Sequence, residues 1–290
     1  MMERYKDIID EFDAFVEALE QPQPQDIRIN TIQSSVQEVR DRYGDLLIDR
    51  DVDDRFFIFD GEPGKTVGHW RGAYYVQEAT SGLPPLVLQP DNGERVLDMC
   101  AAPGSKTSQM AAMMNNTGEI VANDVSGKRT RGLLSNLYRT GCVNTTVTER
   151  DGRNIPEDTQ FDKILVDAPC TGEGNAREQE QLRDGVDPAD ARDLAGLQAD
   201  LLEKALRLCK PDGEIVYSTC TFAPEENEMV VDTVLEDASL LPIDMPCPAS
   251  DGITAWQGTE LSSSLQRTKR VYPHQLDAGG IFIARLTPDH

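Results

Sequence analysis

The sequence is poor in basic residues, and in lysine above all. Its 290 residues include 28 lysines and arginines, of which 8 are lysines, against 51 acidic residues, so the net charge is −23. Phosphate contact normally needs a basic surface, so this composition argues against binding nucleic acid through overall charge. At molar salt the Debye length falls to about 3 Å, which screens long-range repulsion. We therefore interpret the acidity as adaptation to a salt-rich cytoplasm, with an ordinary acidic protein as the alternative.

Several common sequence signals are missing as well. No run of about 18 apolar residues is present, so no membrane span is expected, and the first residues lack an apolar signal region, which predicts a cytoplasmic protein. No Gly-x-Gly-x-x-Gly or Gly-x-x-x-x-Gly-Lys pattern occurs, which disfavours dinucleotides and nucleoside triphosphates as ligands. The cysteines form no Cys-x-x-Cys pair, so we expect free thiols and no metal. They are Cys100, Cys142, Cys170, Cys209, Cys220 and Cys247.

From about residue 70 onward, apolar strands alternate with helical stretches. This alternation predicts an α/β fold with a Rossmann-like parallel sheet and helices on both faces. The predicted strands are 95–99, 119–123, 145–149, 161–166, 214–218 and, at the far edge, 280–286. The predicted helices are 106–115, 127–140, 193–209 and 225–235.

The first 62 residues predict a small separate α+β module, so we expect two domains, 1–62 and 63–290. Apolar residues at helical spacing predict a helix over 4–19, and Gln21-Pro22-Gln23-Pro24 ends it. A strand over 28–31, a helix over 34–42 and a strand over 56–59 complete the module, and the glycine-rich segment 61–68 is a plausible linker. The acidic segment 175–193 is interpreted as a surface excursion over the site.

The segment Val96–Thr107 predicts a buried strand, a tight loop and a helix. Ligands of an open parallel sheet bind beyond the carboxyl ends of its strands. Small residues let the backbone approach a ligand closely, and the helix N-terminus offers amide donors to a carboxylate. The loop therefore predicts a cofactor site, formed by Cys100, Ala101, Ala102, Pro103, Gly104, Ser105 and Lys106.

Two aspartates follow later strands of the predicted sheet. Asp124 comes about 20 residues after the loop, where an acidic residue can bind both hydroxyls of a ribose. Asp151 follows the next strand and would accept a hydrogen bond from an adenine amino group. Either aspartate alone would more simply be a helix cap, but their spacing in one sheet favours cofactor binding. Arg129 completes the predicted cofactor-binding set.

Two cysteines end the next two predicted strands. Asp167-Ala168-Pro169-Cys170 follows the fourth strand, and Ser218-Thr219-Cys220-Thr221 follows the fifth. A single cysteine there would be interpreted as a buried structural residue. Two at neighbouring strand ends, one close to Asp167, instead predict catalytic thiols beside the cofactor loop.

These three motifs, in this order, resemble the Sun-type (Nop/Sun) RNA cytosine carbon-5 methyltransferases, and among them the archaeal tRNA-type members. The likeness runs from about Gly72 to the C-terminus and has one departure, Ser105 at the place of a second glycine. The region 1–62 resembles the family's RNA-binding module faintly, mainly through Arg28-Ile29-Asn30-Thr31. Further matching segments are Tyr75-Val76-Gln77, Asn123-Asp124, Pro224-Glu225-Glu226-Asn227-Glu228 and Arg270-Val271-Tyr272-Pro273-His274.

The resemblance implies S-adenosylmethionine as cofactor and a role for each motif residue. Cys220 would attack carbon 6 of cytosine, Cys170 would assist release of the product, and Asp167 would contact both the ring and the cofactor. Carbon 5 of cytosine is too weak a nucleophile to take a methyl group until a thiolate has added at carbon 6. Because a free cysteine has a pKa of about 8.5, a positive neighbour would help, and Lys106 is the candidate.

Other activities remain open at this stage. A DNA cytosine methyltransferase would attack with the Pro-Cys cysteine, and an amino-group methyltransferase would carry Asp/Asn-Pro-Pro-aromatic in place of Asp167–Cys170. A protein of another class, a non-catalytic RNA-binding or assembly factor, would not need the intact residues Cys170, Cys220 and Asp167.

The expected partner is RNA, with tRNA favoured over ribosomal RNA because the chain shows no extra C-terminal extension. We expect a monomer that binds RNA through a local basic patch and through base stacking. Unpaired bases are the cheapest to flip out of a stack. Trp70, Tyr74 and Tyr75, near Arg71, are the stacking candidates, although each would fit a core equally well.

Overall fold

The computed structural model describes residues 2–289 of the chain. Its helices are α1 (Phe12–Glu20), α2 (Val36–Tyr43), α3 (Val67–Trp70), α4 (Leu83–Leu88), α5 (Ser105–Met113), α6 (Gly127–Thr140), α7 (Pro188–Leu208), α8 (Glu228–Asp232) and α9 (Pro273–Leu276). Its strands are β1 (Asp26–Ile29), β2 (Leu47–Asp49), β3 (Phe56–Phe59), β4 (Tyr74–Val76), β5 (Arg95–Asp98), β6 (Glu119–Asp124), β7 (Thr145–Glu149), β8 (Phe161–Asp167), β9 (Cys209–Thr219), β10 (Ala238–Leu240), β11 (Ser250–Asp251), β12 (Ala255–Trp256), β13 (Thr259–Glu260), β14 (Lys269–Val271) and β15 (Ile281–Pro288). Among the described residues, no helix is both long and apolar enough to span a bilayer.

The chain divides into two compact units. The central unit comprises Pro24–Leu165, and the terminal unit comprises the residues up to Gln23 together with those from Val166 onward. The domain division after residue 62 stays a prediction.

The central unit holds two sheets. In the first, strands in the order β2-β3-β1-β4 are antiparallel. In the second, β8, β5, β6 and β7 follow one another as parallel neighbours, with Val96 opposite both Ile120 and Lys163. The predicted strands in this unit are confirmed, and β3 and β7 have the predicted bounds.

Local capping explains two helices of the central unit. Helix α2 begins after Ser35, whose hydroxyl accepts from the Glu38 amide while the Glu38 side chain accepts from the Ser35 amide, a reciprocal cap that fixes the first turn. Helix α6 has the predicted bounds because Ser126 caps its start and Gly141, with φ of 76°, ends it in the left-handed region. The predicted linker 61–68 instead contains a short 3-10 turn and the start of α3.

Antiparallel pairing dominates among the strands of the terminal unit. Strand β15 pairs with β9 on one side and with β14 on the other, and β11 pairs with β14. The prediction that the last strand lies at the far edge was therefore wrong. The short segments β10, β11 and β14 are two or three residues long, too short for an alternating pattern to indicate them.

Helix boundaries in the terminal unit also differ from the sequence pattern. The predicted helix over 4–19 contains a 3-10 turn and an α-helix that begins only at Phe12, because Glu11 has a left-handed φ of 54°. Helix α7 starts earlier than predicted, since Asp187 caps it and Pro188 fits its first position. The apolar side of the first 20 residues packs into an aromatic core with Phe222, Trp256 and Tyr272.

Candidate active site

The predicted cofactor loop follows β5 and leads directly into α5. Ala101 and Ala102 are buried, and Cys100 is half-buried. Gly104 has a φ of 102°, and a Cβ there would lie 2.8 Å from Leu133 Cδ1, so the close approach of α6 requires glycine. Gly104 provides no side-chain cap for α5, which leaves the amides of its first turn for another acceptor.

Asp124 ends β6 and lies directly against this loop. The side chain is 2% exposed, and its carboxylate accepts from the amides of Ala102 (3.2 Å) and Ser126 (3.0 Å). Arg129 Nη2 lies 3.3 Å from Asp124 Oδ2 and donates to the Ala102 carbonyl at 2.8 Å. The structure therefore brings Asp124 and Arg129 together with the loop, as the cofactor prediction requires.

Asp151 and Lys106 have other immediate partners. The Asp151 carboxylate pairs with Arg153 at 2.7 Å, and the bonds from Arg153 hold the pKa of this carboxyl below its usual range. Lys106 Nζ donates to Ser81 Oγ at 3.1 Å. Their proposed contacts with adenine and with a thiolate stay predictions.

Arg28 supports the cofactor helix, a role that the sequence did not indicate. This residue on β1 is 2% exposed, and it donates to Gln77 Oε1 (2.6 Å) and Ser108 Oγ (3.0 Å). Burial and then the charge of Arg55 lower the pKa of Arg28 to about 10. The motif that carried the faint resemblance to an RNA-binding module thus anchors α5 through its arginine.

The two predicted catalytic cysteines lie together in the terminal unit. Cys170 Sγ and Cys220 Sγ are 3.3 Å apart, and both side chains are half-buried. Two backbone bonds fix the loops, from the Ala168 amide to the Ser218 carbonyl and from the Gly174 amide to the Cys220 carbonyl, each 2.9 Å. The two loops therefore hold both sulfurs where they can share one proton.

The surroundings make the two sulfurs unequal. The hydrogen bond with Cys220 raises the pKa of the Cys170 thiol, and burial and nearby negative charge add to this effect. Asn175 Nδ2 approaches Cys220 Sγ at 3.4 Å and donates to it. Cys170 therefore resists ionisation, while the Asn175 donor would favour negative charge on the Cys220 sulfur.

Asp167 and Glu226 place carboxyl groups in the same unit. Asp167 Oδ1 accepts from Ser218 Oγ at 2.8 Å, and its side chain is half-buried. Glu226 is fully buried, and it accepts from the Thr171 amide (3.0 Å) and from Gln198 Nε2 (2.9 Å). Burial raises the pKa of Glu226, so a buried acid adjoins the residue that follows Cys170.

Sequence reasoning missed most of this supporting shell. Glu173 is fully buried and accepts from Tyr5 Oη at 2.7 Å and from Thr221 Oγ1 at 3.2 Å. The only sequence signal for Glu226 was the segment Pro224–Glu228, which matched the family without indicating a role, and no motif indicated Glu173. The predicted stacking residues differ in solvent exposure, since Trp70 is 78% exposed whereas Tyr74 and Tyr75 belong to the core.

Comparison with known proteins gives matches along nearly the whole chain. Residues 85–287 match the family model described as 16S rRNA methyltransferase RsmB/F. Residues 1–79 match the model described as the N-terminal domain of 16S rRNA methyltransferase RsmF.

Individual relatives include both tRNA and ribosomal RNA methyltransferases. The chain is 35% identical to the tRNA (cytosine(49)-C(5))-methyltransferase of Pyrococcus abyssi, over 99% of this chain and 94% of the relative. It is 38% identical to the ribosomal RNA small subunit methyltransferase F of Salmonella arizonae, over 95% of this chain and 59% of the relative. A crystal structure of a methyltransferase homologue from Pyrococcus horikoshii superposes with a TM-score of 0.87 at 38% identity, covering 98% of this chain and 93% of that one.

The chain spans about a third to three fifths of the length of the ribosomal RNA relatives that it matches. The near-complete overlap with the P. abyssi protein, and a family model that covers more than half of the chain, nevertheless settle its kinship. The mixed α/β methyltransferase sheet and the small region of antiparallel strands that precedes it agree with that result. The chain belongs to the RsmB/F (Nop/Sun) family of S-adenosylmethionine-dependent RNA cytosine-C5 methyltransferases.

Proposed function

We propose that this chain transfers a methyl group to carbon 5 of a cytosine in RNA through a covalent adduct at carbon 6. The observation that carries the proposal is the pair of sulfurs 3.3 Å apart, in which Cys170 has a raised pKa and Cys220 accepts a hydrogen bond from Asn175. A pair of purely structural cysteines would not need the donor from Asn175 or the nearby Asp167. The family relationship supports the same chemistry.

The residues around Asp124 fit S-adenosylmethionine. The Asp124 carboxylate has three donors on its own side and keeps acceptor capacity for ribose hydroxyls, since two oxygens provide about four lone-pair sites. The uncapped start of α5 suits the carboxylate of the cofactor. The glycine at 104 keeps the loop narrow enough for close contact. Cys100 to Lys106, Asp124, Arg129, Asp151 and Asp167 are the proposed holders of the cofactor.

The reaction assigns one task to each catalytic residue. The Cys220 thiolate forms a bond to carbon 6, and the displaced ring electrons are stabilised as Asp167 hydrogen-bonds or protonates ring nitrogen 3. When bound, S-adenosylmethionine supplies the methyl group that carbon 5 receives. A base then removes the proton from carbon 5, and the bond from sulfur to carbon 6 breaks, so that Cys220 leaves as a thiolate. Cys170 assists this last step by keeping its own proton close to the departing sulfur.

We favour tRNA as the substrate. The P. abyssi relative, named for cytosine 49 of tRNA, matches this chain almost end to end. Ribosomal RNA is the second candidate, because the S. arizonae relative has a comparable identity. Methylating total RNA with the purified protein and sequencing it after bisulfite treatment separates the two candidates.

Four further assignments accompany this proposal. Residues 1–62 form an RNA-contacting module and 63–290 the catalytic domain, and the protein acts as a monomer. It works in the cytoplasm, and six free cysteines suit a reducing compartment. Adaptation to high salt rests on the net charge of −23 alone.

Separate alanine substitutions of the two cysteines test the mechanism. Cys220→Ala should form no covalent RNA complex on a denaturing gel. Cys170→Ala should accumulate the complex, because elimination stalls after methyl transfer. A complex that survives in Cys220→Ala would reverse the two roles, and Cys247→Ala, which alters a cysteine outside the motifs, serves as the control.

A further inference from the structure

Two aromatic side chains of the central unit lie almost fully in water. Trp70 is 78% exposed and Tyr138 is 81% exposed. Aromatic residues usually bury most of their surface, and an exposed aromatic cluster commonly marks a binding site. We name this pair the aromatic platform.

Helix α6, which carries Tyr138, is exceptional in its charge. It contains four basic residues and no acidic residue, in a chain whose net charge is −23. Lys128, Arg131 and Tyr138 follow at spacings of three and seven, so they share one exposed side of the helix over about 15 Å. Within residues 2–289, neither Lys128 nor Arg131 has a side-chain hydrogen bond or an ion pair. Their charges are therefore available to a ligand.

Contacts at the end of α6 join the residues that flank Trp70 to the residues that follow Tyr138. Arg139 Nη1 donates to the His69 carbonyl at 2.9 Å, and a Cβ on Gly72 would lie 2.0 Å from the Arg139 carbonyl oxygen. Asn30 Nδ2 donates to the carbonyls of both Gly72 and Thr140 at 2.8 Å. The loop that carries Trp70 and the exposed Arg71 is thus fixed against the last turn of α6.

The same helix forms the back of the cofactor loop. Leu133 and Leu137 pack with Ala101 and Ala102, and Asn136 Nδ2 donates to the Pro103 carbonyl at 2.9 Å. The buried side of α6 therefore serves the loop, while its basic side and the aromatic platform face solvent. A strand bound along the basic side would be separated from the loop by the width of the helix, about 10–12 Å.

We propose that the aromatic platform and the basic side of α6 bind an unpaired stretch of the RNA substrate, with bases stacked on Trp70 and Tyr138. The proposal rests on the proposed function and adds the surface by which RNA is held. Cationic groups beside stacking rings suit single strands, since phosphates and base faces are then engaged together. In a duplex the base faces are covered, and its narrow major groove excludes side chains.

The charges around the platform decide on which side the phosphates lie. Arg71 also lines a cavity of about 570 Å³, whose walls include the carboxylates of Glu38 and Asp41. Near the start of α6, the carboxylate of Glu149 faces Gly127. We therefore place the phosphates at Arg131 and on the solvent-facing sides of Arg71 and Lys128, away from these carboxylates.

Tryptophan fluorescence offers a direct measurement with the full chain. The sequence has two tryptophans, and Trp256 is 7% exposed whereas Trp70 is 78% exposed. Titration with a 12-nucleotide oligouridine should quench the Trp70 emission, and the quenching should vanish in Trp70→Phe. In fluorescence anisotropy with labelled oligouridine, Trp70→Ala and Tyr138→Ala should each weaken binding by about tenfold. Trp70→Phe should restore most of the affinity.

Matched variants and probes distinguish base stacking from nonspecific electrostatic attraction to RNA. Val143→Ala, at a site that is 80% exposed, should bind as the wild type does. Arg131→Gln should reduce the slope of log affinity against log salt by about 0.7. Equal affinity for a 12-base-pair RNA duplex, unchanged affinity in both alanine variants, or preference for a glutamate-rich peptide would overturn the proposal.

An activity assay keeps this proposal distinct from the proposed function. If the wild type methylates RNA, Trp70→Ala should raise the KM for RNA about tenfold. An unchanged KM would refute RNA binding by the aromatic platform and leave the proposed function intact. If the wild type binds oligouridine through Trp70 but methylates no RNA, the proposed function fails while the platform stands.

Discussion

The sulfurs of Cys170 and Cys220, the proposed catalytic pair, are chemically similar, and their neighbours distinguish them. Cys170 lies among groups that penalise its charge, and Cys220 receives the Asn175 amide. A thiol that keeps its proton next to a thiolate can act as a local donor without competing for the cytosine. The geometry of the pair therefore favours one order of roles over the other.

Alkylation rates should report this asymmetry. Because Cys220 raises the pKa of Cys170, Cys170 in the wild type should react with iodoacetamide only in alkaline solution. In Cys220→Ala the hydrogen bond and the neighbouring charge are lost, so the pH midpoint for Cys170 should fall. It should remain above the ordinary value because burial persists.

Mass spectrometry across pH 6 to 11 gives both midpoints, with Cys142 as an internal control. Burial raises the pKa of that thiol independently of Cys220. An unchanged midpoint for Cys170 would show that burial alone holds its proton.

Asp124 should dominate the binding of the cofactor. Asp124→Ala should weaken binding of S-adenosylmethionine more than tenfold, because hydrogen bonds to a charged acceptor are worth about 1.5–3 kcal/mol each. Isothermal calorimetry measures the change. Ser126→Ala removes the cap of α6 but leaves the carboxylate in place, so it should bind almost normally. Equal affinity in Asp124→Ala would remove the ribose assignment.

Sequence reasoning reached the residues of the motifs but not those that support them. The two cysteines, Asp167 and the predicted cofactor loop could be placed from the sequence because each follows a recognisable strand. The roles of Glu173 and Arg28 were not predicted, because their hydrogen-bond partners lie 168 and 80 residues away along the chain. Such pairings form only in the folded chain, so no local sequence pattern indicates them.

At the scale of elements, caps and periodicity predicted helix bounds correctly where interactions within the segment determine its structure. Helix α6 had the predicted bounds because its cap, its amphipathic pattern and Gly141 agree. The first helix was overestimated because apolar spacing continues through residues whose backbone turns at Glu11. The short strands β11 and β14 pair with segments elsewhere in the same chain, so the local sequence did not indicate them.

The segment before α1 is held to the terminal unit by a buried hydrogen bond. Tyr5 Oη donates to Glu173, and burial, together with that carboxylate, raises the pKa of the phenol. Tyr5→Phe leaves Glu173 with one donor fewer, which should cost about 1–3 kcal/mol of unfolding free energy. Urea denaturation measures the loss.

Tyr138→Phe is the matched control for Tyr5→Phe, since that tyrosine is 81% exposed and its change should cost almost nothing. Equal stabilities of the two variants would mean that Glu173 finds a replacement donor.

At the scale of the whole molecule, negative charge is the dominant property. A net charge of −23 makes the surface repel both itself and RNA phosphate. In the proposed complex with RNA, the basic residues of α6 and base stacking on the exposed rings would oppose this repulsion. Base stacking is much less sensitive to salt than phosphate contact. A protein that relies on stacking therefore keeps its affinity for RNA when ions screen the charges.

Stability and methylation should therefore rise together from about 0.1 M toward 1 M potassium chloride, where the Debye length shrinks from about 10 Å to about 3 Å. Screening removes self-repulsion and repulsion of RNA, and for this chain these gains should exceed the weakened contacts of its few basic side chains. Melting temperature and initial rate are measured over that range, with sucrose at matched osmolality as the control for solute exclusion. A basic RNA enzyme would instead lose orders of magnitude in affinity over a few-fold rise in salt. If melting temperature and rate both fall steadily with potassium chloride, the salt-adapted interpretation is wrong, and phosphate contacts must then dominate despite the net charge.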